Sequence, residues 1–141
     1  SLRLLYYPSS GIDDIAAGQL GAGAHTDYGM MTLLFQKDIG GLEVQDVAGI
    51  WHPVAPENNT IVINTGDLME RWTNGKYRST PHRVQPKIGD VDRYSIAVFV
   101  DPDTETPVKV LDSCLKLGEE PRYSEVTAGE HIQGKIAASH G

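Results

Sequence analysis

Gly21-Ala22-Gly23-Ala24-His25-Thr26-Asp27-Tyr28-Gly29 runs directly into Met30-Met31-Thr32-Leu33-Leu34-Phe35. The glycines mark a chain that turns or approaches other backbone closely. The apolar run after them reads as a strand over residues 30–36, continuous enough to be buried on both faces. If the backbone around His25 is extended, positions i and i+2 face the same side. His25 and Asp27 would then present an imidazole and a carboxylate to one metal ion.

Two ligands do not hold a metal firmly, so a third is expected from elsewhere. The best placed is His82, within Arg78-Ser79-Thr80-Pro81-His82-Arg83-Val84. Two histidines and one carboxylate on one face of an octahedral ion, with the opposite face open, form a donor set that suits non-haem Fe(II). Taken singly, each residue has a plainer explanation: a loop histidine, a turn aspartate, a buried hydrogen-bonded histidine.

The pieces around the three residues carry a resemblance. They are Leu4-Leu5-Tyr6-Tyr7-Pro8, His25-Thr26-Asp27, Gly41-Leu42-Glu43-Val44-Gln45, Asn64-Thr65-Gly66-Asp67, Trp72-Thr73-Asn74-Gly75, Ser79-Thr80-Pro81-His82-Arg83-Val84 and Arg93-Tyr94-Ser95. In this order the chain resembles the C-terminal catalytic region of the Fe(II)- and 2-oxoglutarate-dependent oxygenases, in the isopenicillin N synthase-like branch. The resemblance covers roughly residues 2–112, with a weaker tail to about 138. It implies a mainly β, double-stranded β-helix (a cupin-like jelly roll), with His25, Asp27 and His82 as iron ligands. It also implies that Arg93 and Ser95 hold the distal carboxylate of 2-oxoglutarate, and that Tyr7 hydrogen-bonds the co-substrate. Where the family often has an asparagine two positions before that tyrosine, this chain has Leu5, which leaves Tyr7 equally well explained as a packed tyrosine.

By the same resemblance, O2 and 2-oxoglutarate are consumed, succinate and CO2 are released, and a small-molecule substrate is oxidised, most often hydroxylated. Two other readings stay open: an iron oxidase of the same branch that uses no 2-oxoglutarate, and a non-catalytic metal-binding β-barrel. Residues 1–141 are expected to form one catalytic domain, with a core over about 2–112 and a tail and helix over 113–141. Relatives are about twice as long, so the N-terminal portion is expected to be missing. A sheet face which that portion normally covers would then lie bare, and the chain should fold poorly alone.

The spacing of Arg93 and Ser95 supports their pairing independently, since i and i+2 share one face of a strand. A planar guanidinium also grips both oxygens of a carboxylate.

Composition narrows the partners. The 141 residues are 40% hydrophobic and 22% charged, with net charge −7 and pI near 5.1, ordinary values for a globular domain. No basic run offers a surface for nucleic acid or anionic lipid, so neither is expected as a partner. The apolar runs are far too short to span a membrane, and no signal peptide is expected before Leu2. Cys114 is the single cysteine, which rules out an intrachain disulfide and makes a reducing, cytoplasmic setting the default. Nothing in the sequence assigns an oligomeric state.

Strands are expected over residues 2–7, 30–36, 42–46, 50–54, 60–64 and 94–100, with a loop from Ser9 through Gly18, Gly21 and Gly23. Asp67 with Glu70 reads as the N-cap of a short helix after the central strands, closed by Asn74-Gly75. Thr127 with Glu130 reads as a capping box opening a C-terminal helix to about 138, with Ile132 and Ile136 packed on a sheet. Trp51, Trp72 and Tyr77 are assigned to packing, Arg78 and Arg83 to pairing or solvent, and His52, His131 and His140 to surface or packing roles.

Overall fold

The computed structural model describes residues 1–9, 11, 21–86 and 91–140. Among them, ten strands and two α-helices are found: β1 (Leu2–Tyr7), β2 (Ala22–His25), β3 (Met31–Gln36), β4 (Leu42–Gln45), β5 (Trp51–Pro53), β6 (Val62–Thr65), α1 (Asp67–Trp72), β7 (His82–Val84), β8 (Arg93–Val100), β9 (Pro107–Val108), β10 (Val126–Thr127) and α2 (Ala128–Ser139). The strands form one four-stranded sheet in the order β1-β8-β3-β6, a second in the order β2-β7-β4-β5, and a β9-β10 pair. Much of the expected loop through Gly18 lies outside the described residues. Its last part is corrected: Ala22–His25 is a strand, paired to β7.

The chain divides into two compact units. The first comprises Ser1–Thr26, Leu33–Ile63 and Thr80–Val98. Within it β1 and β8 pair antiparallel, with Leu2 opposite Val98, Leu4 opposite Ile96, Leu5 opposite Ser95 and Tyr7 opposite Arg93. The polarity of this pair is inverted. Arg93, Ser95 and Ala97 are buried, while Leu2, Leu4 and Tyr6 on the other face are 60%, 75% and 56% exposed, beside exposed Tyr94 and Ile96. Tyr6 and Tyr94 stack with centroids 5.0 Å apart. A contiguous apolar face of this kind favours association. The isolated chain is therefore expected to self-associate, and Leu4→Thr combined with Ile96→Thr to reduce it. Sedimentation showing a monodisperse monomer for the unaltered chain at tens of micromolar would contradict this expectation.

The second unit comprises Asp27–Thr32, Asn64–Ser79 and Phe99–Gly141. Its core is Leu68, Val108 and Ala128, with Trp72 and Val126 packed against them. Helix α1 begins with Gly66, not Asp67, as its cap, and no side chain caps it. The physical reason lies in its first amides: Asp67 N donates to the Asp27 carbonyl at 2.8 Å and Leu68 N to that of Gly29 at 3.1 Å. Main-chain carbonyls thus satisfy the N–H groups that a helix start leaves unpaired. The Asp67 carboxylate turns instead to Lys135 Nζ at 2.9 Å. Gly66 is required here, because a Cβ on it would collide with the Gly29 and Asp27 carbonyls.

Helix α2 opens on the expected capping box of Thr127 and Glu130. Ala128 is its buried residue, and Ile136 is 45% exposed, so the expected sheet-packed apolar stripe is not formed. The helix is docked by its first turn instead. Strand β3 is likewise less enclosed than its apolar run suggested: Thr32 is its buried residue and Phe35 is exposed. Tyr77, assigned to packing, is 61% exposed.

Candidate metal and oxo-acid site

His25 and His82 are brought together by strand pairing. They sit opposite each other on antiparallel β2 and β7, with a register shift between Ala22 and His25. An extra residue of this kind bends a strand and re-aims its side chains. The two rings are 4.4 Å apart between centroids, at 58°. His82 also faces Val44 on β4, so β7 is held from both sides.

Each imidazole is oriented by its own backbone. His25 Nδ1 lies 2.7 Å from the Gly23 carbonyl and His82 Nδ1 lies 3.0 Å from that of Thr80. A carbonyl only accepts, so in both rings Nδ1 carries the proton and donates it. In the neutral rings Nε2 is then the lone-pair nitrogen, which is the arrangement that metal-ligating histidines use.

Asp27 supplies the carboxylate, on a segment anchored at each carbonyl. Asp67 N and Leu68 N hold Asp27 and Gly29, Gly66 N donates to the Met30 carbonyl at 3.0 Å, and His131 Nε2 donates to that of Tyr28 at 3.1 Å. Burial pushes the His131 pKa down. His131 thus does more than pack, a role that its sequence surroundings gave no sign of. Ligand atoms of His25, Asp27 and His82 all lie within 4.8 Å of one another, the one such group among the described residues. Two imidazoles and a carboxylate this close fit a six-coordinate Fe(II) with positions to spare.

Arg93 and Ser95 lie side by side on the buried face of β8, at 5% and 4% exposure. The guanidinium is held by three uncharged acceptors: Nε donates to the Gly40 carbonyl at 3.1 Å, Nη2 to Gln36 Oε1 at 3.2 Å and Nη1 to Ser95 Oγ at 3.5 Å. Gly40 has φ of 64°, within the Gly40-Gly41 turn, where a side chain would be strained. Burial pushes the Arg93 pKa down, opposed by the neighbouring Tyr7, and a guanidinium stays charged. Three of its five N–H groups are committed to these acceptors, and the Tyr7 side chain is a further hydrogen-bond partner. A guanidinium has the planar fork that suits the two oxygens of a carboxylate. Tyr7 lies beside it, its ring centroid 5.1 Å from Arg93 Cζ. Gln36 was not singled out from the sequence, because a glutamine ending a strand carries no signal of its partner.

Arg83, next to His82, is paired as expected: its Nε donates to Glu43 Oε2 at 2.6 Å, and its Cζ lies 4.1 Å from the Trp51 ring centroid. The hydrogen bond from Arg83 holds the Glu43 carboxyl below its usual pKa. His52, on β5, is exposed, and its Nε2 meets Asp46 Oδ2 at 2.7 Å; it is not among the three grouped ligand residues. Glu70, expected to serve a cap, instead receives Ser79 N at 2.5 Å and the Tyr123 hydroxyl at 3.1 Å. It thereby steadies the segment that leads to His82.

Fold and site together define a mainly β domain in which two histidines and one carboxylate converge as a candidate metal site and an arginine lies buried beside a serine. The profile of the 2OG-Fe(II) oxygenase superfamily matches residues 1–102, and the chain belongs to that superfamily. It has the double-stranded β-helix, or jelly-roll, fold of the group, and Fe(II) and 2-oxoglutarate are the metal and co-substrate that membership brings with it. It is 40% identical over 142 residues to a 2-oxoglutarate-Fe(II) type oxidoreductase of Emericella nidulans, covering 100% of this chain and 40% of that protein. It is also 40% identical over 148 residues to a proline hydroxylase of Petromyces alliaceus, covering 99% of this chain and 46% of that one. A full-length Neurospora crassa protein, solved in complex with alpha-KG and thymine, superposes with a TM-score of 0.89 at 40% identity, over 98% of this chain and 44% of that chain. The chain thus spans less than half the length of these relatives.

Proposed function

We propose that this chain is the catalytic domain of an Fe(II)- and 2-oxoglutarate-dependent dioxygenase that hydroxylates a small organic molecule. The observation that carries the reading is the convergence of His25, Asp27 and His82, with ligand atoms within 4.8 Å of one another. These three hold the metal. Arg93 and Ser95 grip the far carboxylate of 2-oxoglutarate, and Tyr7, whose ring centroid is 5.1 Å from Arg93 Cζ, hydrogen-bonds the co-substrate. Bound iron supplies O2 activation coupled to decarboxylation of 2-oxoglutarate to succinate and CO2. The chain's own part is to bind and orient. The carbonyls of Gly23 and Thr80 fix the two imidazole tautomers, and the buried guanidinium anchors the far end of the oxo acid. Relatives named for proline hydroxylation and for a complex with thymine support a small polar substrate.

No helix among the described residues is long and apolar enough to cross a membrane. We take residues 1–141 as a single functional domain of a longer polypeptide, acting in a reducing compartment on a small molecule and not on nucleic acid or lipid. The test is anaerobic loading of Fe(II) into the full-length protein, followed by oxygen uptake with and without 2-oxoglutarate and quantification of succinate. One succinate per O2, dependent on 2-oxoglutarate, is expected. Oxygen uptake independent of it would establish an oxidase instead, and no uptake with any candidate substrate would leave a binding protein.

A further inference from the structure

We propose that Thr32 and Asn64 are positioning residues that hold Asp27 as a one-oxygen metal ligand. The inference rests on the metal reading of His25, Asp27 and His82 and deepens it. Both side chains donate to the same atom: Thr32 Oγ1 lies 2.5 Å and Asn64 Nδ2 lies 2.8 Å from Asp27 Oδ2. A carboxylate oxygen has two in-plane lone-pair directions, and two donors occupy both. A metal drawing on Oδ2 as well would have to displace two charge-assisted hydrogen bonds and leave two polar groups without their acceptor. It is therefore met by the other oxygen alone.

The two donors come from different parts of the chain, so the carboxylate plane is fixed from two sides. Thr32 lies on β3, five residues beyond Asp27, and is 5% exposed, which keeps water from competing for its acceptor. Asn64 lies on β6, 37 residues away, just before the Gly66–Leu68 amides that hold the main chain of residues 27–30. Backbone and side chain of Asp27 are thus both set by the β6–α1 junction. The consequence is functional. A one-oxygen aspartate leaves three positions on a six-coordinate ion, enough for a chelating oxo acid and O2. A two-oxygen aspartate would leave only two.

The experiment uses shape-conserving variants of the full-length protein, Thr32→Val and Asn64→Leu, with Thr32→Ser as the variant that keeps the hydroxyl. Co(II) is titrated calorimetrically, and its visible absorption is recorded for each complex. Without their donors, Asp27 gains freedom that metal binding must remove, so Co(II) affinity is expected to fall about 10- to 100-fold, the usual cost of deleting a ligand's hydrogen-bond partner. The cobalt bands should change shape, and Thr32→Ser should restore both affinity and spectrum. The melting temperature of the metal-free protein separates this from a folding role, which would lower it and leave the affinity of the folded protein alone. Wild-type Co(II) affinity in both Thr32→Val and Asn64→Leu would overturn the inference, as would a Thr32→Ser loss equal to that of Thr32→Val. If the wild type itself bound no Co(II), the metal reading would fall first.

Discussion

Asp27→Ala is expected to abolish stoichiometric Fe(II) binding and, with it, turnover. Removing a partner of a metal ligand typically costs 10- to 100-fold in affinity, so removing a ligand should cost more than about a hundredfold. The carboxylate is also the one anionic donor of the group, and a pair of neutral imidazoles does not replace its charge. His82→Ala should behave alike. His52→Ala is the clean control, because that exposed ring pairs with Asp46 at 2.7 Å and stands outside the ligand group. His131→Ala is a poorer one than its sequence surroundings suggest, since His131 holds the Tyr28 carbonyl beside Asp27. The measurement is anaerobic Fe(II) titration with iron content after desalting. Asp27→Ala that retained wild-type iron would remove this residue from the ligand set.

Loss of the guanidinium should be nearly as severe for the co-substrate. A hydrogen bond to a charged group contributes roughly 1.5–3 kcal/mol, and a forked guanidinium can make two to one carboxylate. At about 1.4 kcal/mol per tenfold, Arg93→Ala should weaken 2-oxoglutarate binding by about a hundredfold or more while leaving iron bound. Arg93→Lys keeps the charge but lacks the fork and should fall between. The buried setting adds a second cost, because the Gly40 carbonyl and Gln36 lose their donor. The melting temperature should therefore be read alongside. Monocarboxylic 2-oxo acids should bind the wild type poorly, and that discrimination should vanish in Arg93→Ala. Titration of the visible charge-transfer band of the anaerobic Fe(II)–oxo acid complex measures each case. Unchanged 2-oxoglutarate affinity in Arg93→Ala would deny Arg93 this role and favour an oxidase.

Local spacing made a good part of this protein legible. An arginine and a serine two apart on a strand, and a threonine three before a glutamate, express backbone periodicity or cap geometry that a few residues impose by themselves, whereas β2 ends at His25 and Asp27 is set by amides from the β6–α1 junction. Strands β1, β4 and β8 and the capping box of α2 follow from the same local rules. Other features depended on contacts between distant residues. Asp67 reads as a cap, but the carbonyls of Asp27 and Gly29 take the amides that a cap would serve. Strand β8 alternates as a strand should, yet its buried side is the charged one, because Arg93 finds its acceptors on Gln36 and Gly40, 57 and 53 residues away. The meeting of His25 with His82 required strand pairing and a register shift, and the grip of Thr32 and Asn64 on one oxygen of Asp27 required β3 and β6 to converge there. Residue type and spacing determine which groups are available to a metal and an oxo acid. Which atom of each group faces the ligand is decided by hydrogen bonds across long stretches of chain, and only the folded structure contains them.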